Sequence, residues 1–179
     1  PLCYGRIDEL VELVRSRDME CSICTNAALL GGERLQAWAE SGVHLAVSFN
    51  AVDEASYGEI HGCGDPDAFK RVLDFLERYA DIAQRQNSAE SFTTMNFVIF
   101  NKNAKQVAYM AELARSVGAS QIQFRLIQPR REHRHLELGE EALARVRKDI
   151  ETLQVRYEND TSFTIQAPHV FLPEQSDGG

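Results

Sequence analysis

Small polar side chains stand at the ends of several apolar runs, and their types suit the binding of a polar ligand. In chain order they are Thr25 and Asn26, Ser48 and Asn50, Asn96 and Asn101, and Arg125 and Gln128. Hydroxyls, carboxamides and one guanidinium can hydrogen-bond a zwitterion or a ribose. The set contains neither paired carboxylates nor a nucleophile next to a base. It therefore predicts binding and identifies no catalytic residue.

Each of these residues also has a structural interpretation. A Ser, Thr or Asn at the end of a strand is a common turn or helix-cap signal, although the recurrence at four strand ends favours a shared site. Arg125 differs, because it lies between Phe124 and Leu126 in an apolar run. A guanidinium buried there must either reach solvent or meet an anion.

The spacing of Cys21 and Cys24 is that of a CxxC motif, which could form a redox dithiol or half of a metal site. Residues three apart on a strand point to opposite faces, and no second pair completes a ligand set. Burial as small apolar side chains is therefore the favoured role for both cysteines. His61 is interpreted as a turn residue, and His133 and His135 as solvated loop residues.

The elements that must position these residues alternate between strands and helices. Predicted strands are residues 19–25, 43–49, 92–100, 121–127 and 162–166, and apolar residues at helical spacing lie between them. Asp65 is predicted to cap a helix that starts at Pro66, and residues 130–135 to form a polar loop. This alternation predicts an α/β fold with parallel strands. A partial TIM-like (β/α) barrel is favoured over a doubly wound sheet, because no Gly-rich phosphate loop follows a strand.

The amino-acid composition restricts the classes of binding partner. The 179 residues carry 27 acidic and 19 basic side chains, a formal net charge of −8, which disfavours nucleic acid as a partner. No apolar run is long enough for a bilayer span, so no membrane partner is expected. Four cysteines are too few for a disulfide scaffold, which favours a reducing compartment.

The chain begins with Pro1, which suggests an excerpt or a processed product. Residues 1–128 are expected to form the C-terminal part of a barrel. Residues 129–172 would be its final helix and strand or a linker to a following domain, and residues 173–179 a loose tail.

Residues 45–62, followed by a helix that starts near Phe69, closely resemble the fourth-strand region of radical S-adenosylmethionine (SAM) enzymes. Thr25 and Asn26 resemble the family's third-strand end, residues 96–103 its fifth strand, and residues 118–125 its sixth. The resemblance covers about residues 1–128. It implies a partial TIM barrel and the cofactor SAM.

The resemblance also implies roles for individual residues. Ser48 and Asn50 would face the ribose or methionyl part of SAM, and Asn26 would approach the same moiety. Asn96 would support the binding surface, and Arg125 would lie close to the cofactor. The adenine would lie around Val98 and Leu126.

One departure from the family concerns its metal. The hallmark CxxxCxxC that binds a 4Fe-4S cluster is absent, and Cys3, Cys21, Cys24 and Cys63 do not reproduce its spacing. In the family this cluster reduces SAM to a 5′-deoxyadenosyl radical. The resemblance therefore implies cluster ligands outside this chain, no metal ligands within it, and a fragment inactive alone.

The sequence thus predicts the SAM-binding part of a radical SAM enzyme core. It would be cytoplasmic because the cluster is oxygen-labile, and it would modify an unknown small-molecule or peptide substrate. Two alternatives are a non-catalytic barrel remnant that acts as an interaction module and an aldolase-like barrel enzyme with a Schiff-base lysine. The second is weak, because Lys70, Lys102, Lys105 and Lys148 fall on helices or loop starts.

Overall fold

A computed structural model describes residues 1–62, 64–85, 92–128, 130–168 and 170–171. Cys63 and the predicted loose tail at residues 173–179 lie outside these described residues. None of the helices that the structure describes is long and apolar enough to cross a bilayer.

The core of the fold is one parallel sheet of five strands, in the order β1-β2-β3-β4-β5. The strands are β1 (Ser22–Thr25), β2 (His44–Ser48), β3 (Thr93–Ile99), β4 (Gln121–Leu126) and β5 (Thr164–Gln166). A doubly wound sheet reverses its strand order at a switch point, whereas here each strand pairs with the next one along the chain. The predicted α/β fold, a partial TIM-like barrel with parallel strands, is therefore confirmed.

Helices alternate with these strands. They are α1 (Ile7–Arg15), α2 (Gly32–Glu40), α3 (Glu54–His61), α4 (Ala68–Arg85), α5 (Val107–Ser116) and α6 (Glu140–Arg156). Short 3-10 helices cover Ala104–Gln106 and Arg131–Leu136. The second of these corrects the prediction of a plain polar loop at residues 130–135.

One predicted helix start is wrong. α4 begins at Ala68, two residues after Pro66, and Asp65 stabilises the preceding turn. The Asp65 carboxylate accepts a hydrogen bond from the backbone N–H of Asp67 at 3.0 Å and pairs with Arg71 at 2.5 Å. A carboxylate that bonds a backbone N–H two residues on forms an Asx-type turn, which resembles a helix cap in sequence.

The apolar core lies between the sheet and the helices. Leu45 and Val47 of β2, Phe97 of β3 and Ile122 and Phe124 of β4 are fully buried. Phe97 and Phe124 pack edge to face, with ring centroids 5.9 Å apart. Because side chains alternate along a strand, burial of this set leaves the intervening residues on the opposite face of the sheet.

Gly118 brings the turn between α5 and β4 close to α4. Its φ is +74°, and a Cβ at this position would lie 2.8 Å from the Cβ of Ala80. A side chain would therefore be strained in two ways, by backbone conformation and by contact. The glycine fixes where β4, which carries Arg125, enters the sheet.

Candidate functional site

The face of the sheet that points away from the apolar core is polar. Its residues on the strands are Ser22, Cys24, His44, Ala46, Ser48, Thr94, Asn96, Val98, Gln121, Gln123, Arg125, Thr164 and Gln166. The chain has 27 acidic residues, yet none occupies these positions. Hydroxyls and carboxamides predominate on this face, with one guanidinium, one imidazole, one thiol and the apolar Ala46 and Val98. Such a surface can hydrogen-bond hydroxyls and carboxylates of a ligand.

A hydrogen-bonded row crosses the face near the N-terminal ends of the strands. His44 Nδ1 lies 3.0 Å from Ser22 Oγ, and its Nε2 lies 3.0 Å from Thr94 Oγ1. Gln121 Nε2 donates to Thr94 Oγ1 at 3.3 Å, and Thr164 donates to Gln121 Oε1 at 3.4 Å. The row joins all five strands, and its polar groups satisfy one another.

His44 is the titratable member of this row. Burial lowers the pKa of His44, and the nearby Glu20 carboxylate opposes that effect to a smaller extent. The neutral imidazole, with one ring N–H and one acceptor nitrogen, suits its two hydroxyl partners. The row is therefore a structural base for the residues above it.

A second row lies nearer the C-terminal ends of the strands and contains two of the predicted site residues. Ser48 pairs in register with Asn96, Asn96 with Gln123, and Gln123 with Gln166. Ser48 and Asn96 are both half-buried. Unlike the first row, this one offers a hydroxyl and carboxamides to a ligand at the edge where parallel α/β sheets bind their ligands.

Arg125 lies beyond this row on β4, and its environment differs from the one predicted. The side chain is exposed on the polar face, so the expectation of a buried guanidinium in an apolar strand is wrong. Alternation explains the difference, because Phe124 and Leu126 point to the core face while Arg125 points away from it. Its guanidinium donates to Gln123 Oε1 from Nε at 2.9 Å and from Nη2 at 2.6 Å.

The chain after β2 is held against β3 by carboxamides. Asn50 Oδ1 accepts a hydrogen bond from the backbone N–H of Val98 at 2.8 Å, which places Asn50 at the same level of the sheet as Arg125, the register partner of Val98 on the other side of β3. The buried Asn103 donates to the carbonyl oxygens of Asn50 at 3.2 Å and Val98 at 2.9 Å, and it accepts from the N–H of Phe100 at 2.9 Å. The Nδ2 of Asn50 remains available to a ligand.

Asn26 follows β1 directly, in a tight turn. Its Oδ1 accepts from the backbone N–H of Ala28 at 3.3 Å, and Thr25 Oγ1 accepts from the N–H of Ala27 at 3.1 Å. Ala27 has a φ of +59°, in the left-handed region that favours glycine. Thr25 lies on the buried face and supports this turn, while Asn26 is exposed.

All five predicted site residues thus lie at or near the C-terminal ends of β1 to β4. Asn50 is joined to Val98 of β3, whose register partner on β4 is Arg125; Ser48 pairs with Asn96, and Asn26 lies at the β1 edge. Their role in cofactor binding stays a prediction. The adenine surface predicted around Val98 and Leu126 is divided, because these side chains point to opposite faces of the sheet.

Sequence reasoning missed three residues that shape this edge. Asn103 hydrogen-bonds the backbone carbonyl of Asn50, and Gln123 hydrogen-bonds the guanidinium of Arg125. The half-buried His61 stacks on Tyr57, with ring centroids 4.3 Å apart, and its Nε2 lies 3.5 Å from the backbone N of Asn50. Burial lowers the pKa of His61, which favours an acceptor nitrogen. The site residues were predicted from their position at strand ends, and that position does not reveal any of these contacts.

The cysteines form no metal centre in the part of the chain that the structure describes. Cys24 is exposed on the polar face, so its predicted burial is wrong, while Cys21 is half-buried. No group of three or more His, Cys, Asp or Glu side chains among residues 1–62, 64–85, 92–128, 130–168 and 170–171 could hold a metal ion. These residues do not fit an iron-sulfur cluster.

The chain resembles known proteins over most of its length. PqqA peptide cyclase of Gluconobacter oxydans is 28% identical over 124 residues, which are 69% of this chain and 32% of that protein. The chain therefore spans about a third of the length of this curated relative. No protein-family model matches the chain.

Solved structures share the fold. SuiB of Streptococcus suis superposes with a TM-score of 0.75 at 16% identity, covering 96% of this chain and 38% of SuiB, and it has been solved bound to SAM and to the precursor peptide SuiA. A structure titled as anSMEcpe with bound AdoMet and Kp18Cys peptide gives a TM-score of 0.62 at 13% identity, over 89% of this chain and 45% of that one. Together these comparisons confirm the resemblance to the radical SAM enzymes.

Proposed function

We propose that this chain binds SAM at the C-terminal edge of its sheet, as part of a radical SAM enzyme that modifies a peptide. One observation carries the proposal. The described strand positions of the open face include no acidic residue, and they present hydroxyls, carboxamides and one guanidinium at the edge where such folds bind ligands. That donor set fits the ribose hydroxyls and the carboxylate of SAM.

Each predicted residue has a role in this proposal. Ser48 and Asn50 face the ribose or methionyl part, and Asn26 approaches the same moiety from the β1 edge. Asn96 supports the surface beside Ser48, its register partner. Arg125, exposed on the same face, binds the carboxylate.

The reaction needs groups beyond these residues. In the family, cleavage of SAM by electron transfer from a 4Fe-4S cluster supplies a 5′-deoxyadenosyl radical. Because the described residues do not fit the cluster, we propose that its ligands lie outside this chain. The chain's own contribution is to bind and orient the cofactor.

A peptide is the proposed substrate, because the curated relative is a peptide cyclase and SuiB was solved with its precursor peptide. We propose the cytoplasm as the location, since an oxygen-labile cluster persists in a reducing compartment. Within the chain, residues 1–128 and 129–172 would then be parts of one barrel, as the pairing of β5 with β4 suggests.

The experiment compares two serines on the same face of the sheet. Ser48 lies at the C-terminal end of β2, and Ser22 at the N-terminal end of β1. Isothermal titration calorimetry with SAM should show weaker binding for Ser48→Ala, by roughly tenfold, as expected for one lost hydrogen bond. Ser22→Ala should bind as the wild type does. Equal effects of the two substitutions, or no binding by the wild type, would contradict the proposal, and the second outcome would favour an interaction module.

A further inference from the structure

The side chain of Arg125 is turned back along its own strand. Gln123 lies two residues earlier on the same face of β4, and its Oε1 accepts from both Nε and Nη2 of Arg125, at 2.9 and 2.6 Å. These two bonds use only part of the five N–H donors of a guanidinium. The Nη1 group and one Nη2 hydrogen remain for another partner.

The charge of this guanidinium has no counter-ion among the described residues. Several other arginines pair with carboxylates, as Arg34 does with Asp8 at 2.7 Å and Arg115 with Asp160 at 2.8 Å, while Arg147 bonds the carbonyl oxygen of Val170. Arg125 instead bonds a neutral amide, on a sheet face whose strand positions include no acidic residue. A side-chain carboxylate at the position of Gln123 would orient the guanidinium equally well, but it would also neutralise it.

The carboxamide of Gln123 has one favoured orientation. Its Oε1 faces the guanidinium, and its Nε2 lies 3.4 Å from Gln166 Oε1 on β5. The reversed orientation would place two N–H donors against a cation and an acceptor against an acceptor. The three side chains therefore form a short chain of hydrogen bonds from β5 to Arg125.

We propose that Gln123 is a positioning residue, which holds the guanidinium of Arg125 on the open face with its charge uncompensated, ready for the carboxylate of SAM. The proposal rests on the proposed function, because it takes the carboxylate of SAM as the anionic group that Arg125 binds. It assigns to Gln123 a role separate from stability, since an exposed hydrogen bond of this kind adds little to folding.

Titration calorimetry on the purified chain tests the role in binding. Gln123→Leu removes the acceptor, and SAM affinity should fall roughly five- to tenfold, as for one lost hydrogen bond to a charged group. Methylthioadenosine lacks the amino acid moiety of SAM, so its affinity should not change. Gln123→Glu should also weaken SAM binding, because the new carboxylate competes for the guanidinium. Gln36→Leu, which replaces an exposed glutamine on α2 away from this face, is the control and should bind SAM as the wild type does.

Nuclear magnetic resonance of the Arg125 Nε–H group tests the positioning without a ligand. The steady-state ¹⁵N{¹H} nuclear Overhauser effect should indicate an ordered side chain in the wild type and in Gln123→Glu, and a mobile one in Gln123→Leu. Arg125→Lys assigns the signal. A signal equally ordered in Gln123→Leu would overturn the proposal whatever the binding data show.

The binding data distinguish a failure of the positioning role of Gln123 from a failure of the proposed function. If Arg125→Gln weakens SAM binding and Gln123→Leu does not, the positioning role is wrong and the proposed function stands. If Arg125→Gln binds SAM as the wild type does, or the wild type does not bind SAM, the assignment of Arg125 to the cofactor is wrong and the role of Gln123 falls with it. A gain in SAM affinity for Gln123→Glu would also contradict the inference, because it would show that neutralising Arg125 is harmless.

Discussion

The two faces of the sheet belong to the same strands, but one is buried and apolar and the other is polar. The neighbours Phe124 and Arg125 illustrate the difference. Phe124 is fully buried and packs against Phe97, whereas Arg125 is exposed and bonds only Gln123 among the described residues. Burial makes the first face the source of stability. The second is free to carry polar groups selected for a ligand. Adjacent substitutions should therefore have opposite phenotypes.

The largest expected effect is on the apolar face. Phe124→Ala should lower the free energy of unfolding by about 3–5 kcal/mol, because it removes a buried ring and leaves a cavity. Urea denaturation followed by circular dichroism measures this loss. A loss below about 1 kcal/mol would show that the core tolerates the cavity and that the contrast between the faces is weaker than inferred.

A smaller loss of stability is expected on substitution of Asn103, which follows β3. This fully buried side chain bonds the carbonyl oxygens of Asn50 and Val98. Asn103→Ala should lower the free energy of unfolding by about 1–3 kcal/mol, the cost of leaving buried polar groups unpaired. Urea denaturation measures it, with the exposed Asn159→Ala as a control that should change stability by less than about 0.5 kcal/mol.

On the polar face, the effect should move from stability to binding. Arg125→Gln should weaken SAM binding by about 1–3 kcal/mol, roughly ten- to a hundredfold, because it removes a charged donor. The melting temperature should change little, since the side chain is exposed. Calorimetric titration and thermal unfolding of the same sample test both statements. Unchanged affinity together with a large loss of stability would reverse the assignment of the two faces.

The hydrogen-bonded row around the half-buried His44 should give a weaker, pH-dependent effect. Burial lowers the pKa of His44, so the unfolded state takes up the proton first, near the ordinary histidine pKa of about 6.5. Stability should therefore be fully present above that pH and fall as the pH decreases below it. Urea midpoints between pH 7.5 and 5.5 should show this slope, and His44→Gln should reduce it. The lowered pKa of His61 leaves a residual slope in the variant. An unchanged slope would show that His44 does not titrate as inferred.

We expect that the purified chain alone binds no iron-sulfur cluster. After anaerobic reconstitution, the purified chain should retain far less than one cluster per molecule and should not cleave SAM reductively, because a cluster needs convergent thiolates. Iron analysis and chromatography of 5′-deoxyadenosine check this. Near-stoichiometric iron that disappears in a Cys21→Ala, Cys24→Ala double variant would assign these cysteines the metal role denied to them here.

Much of the fold could be predicted from the sequence, because the patterns that indicate strands and helices are local. The alternation of apolar strands and amphipathic helices predicted all five strands. The ends were less certain, and each strand is shorter than predicted. The cap prediction at Asp65 failed because an Asx turn and a helix cap share the same residue types.

The candidate site was less accessible to sequence reasoning. Strand-end position identified Ser48 and Asn50, since parallel strands bring their C-terminal ends to one edge. It could not show that Arg125 lies on the open face, because that depends on the phase of alternation along β4. Nor could it find Asn103 and Gln123, whose hydrogen bonds join residues on different strands or select one of several rotamers.

The sequential strand order has a consequence for how the molecule folds. Every strand pairs with its neighbour along the chain, so no pairing has to wait for a distant segment to arrive. Folding rates rise as contacts become more local, and assemblies in which each unit contacts only its neighbours can begin from any unit. We expect the strand-helix units to add stepwise to whichever pair forms first. Hydrogen exchange should then protect β2, β3 and β4 more strongly than β1 and β5, each of which pairs on one side only among the described residues.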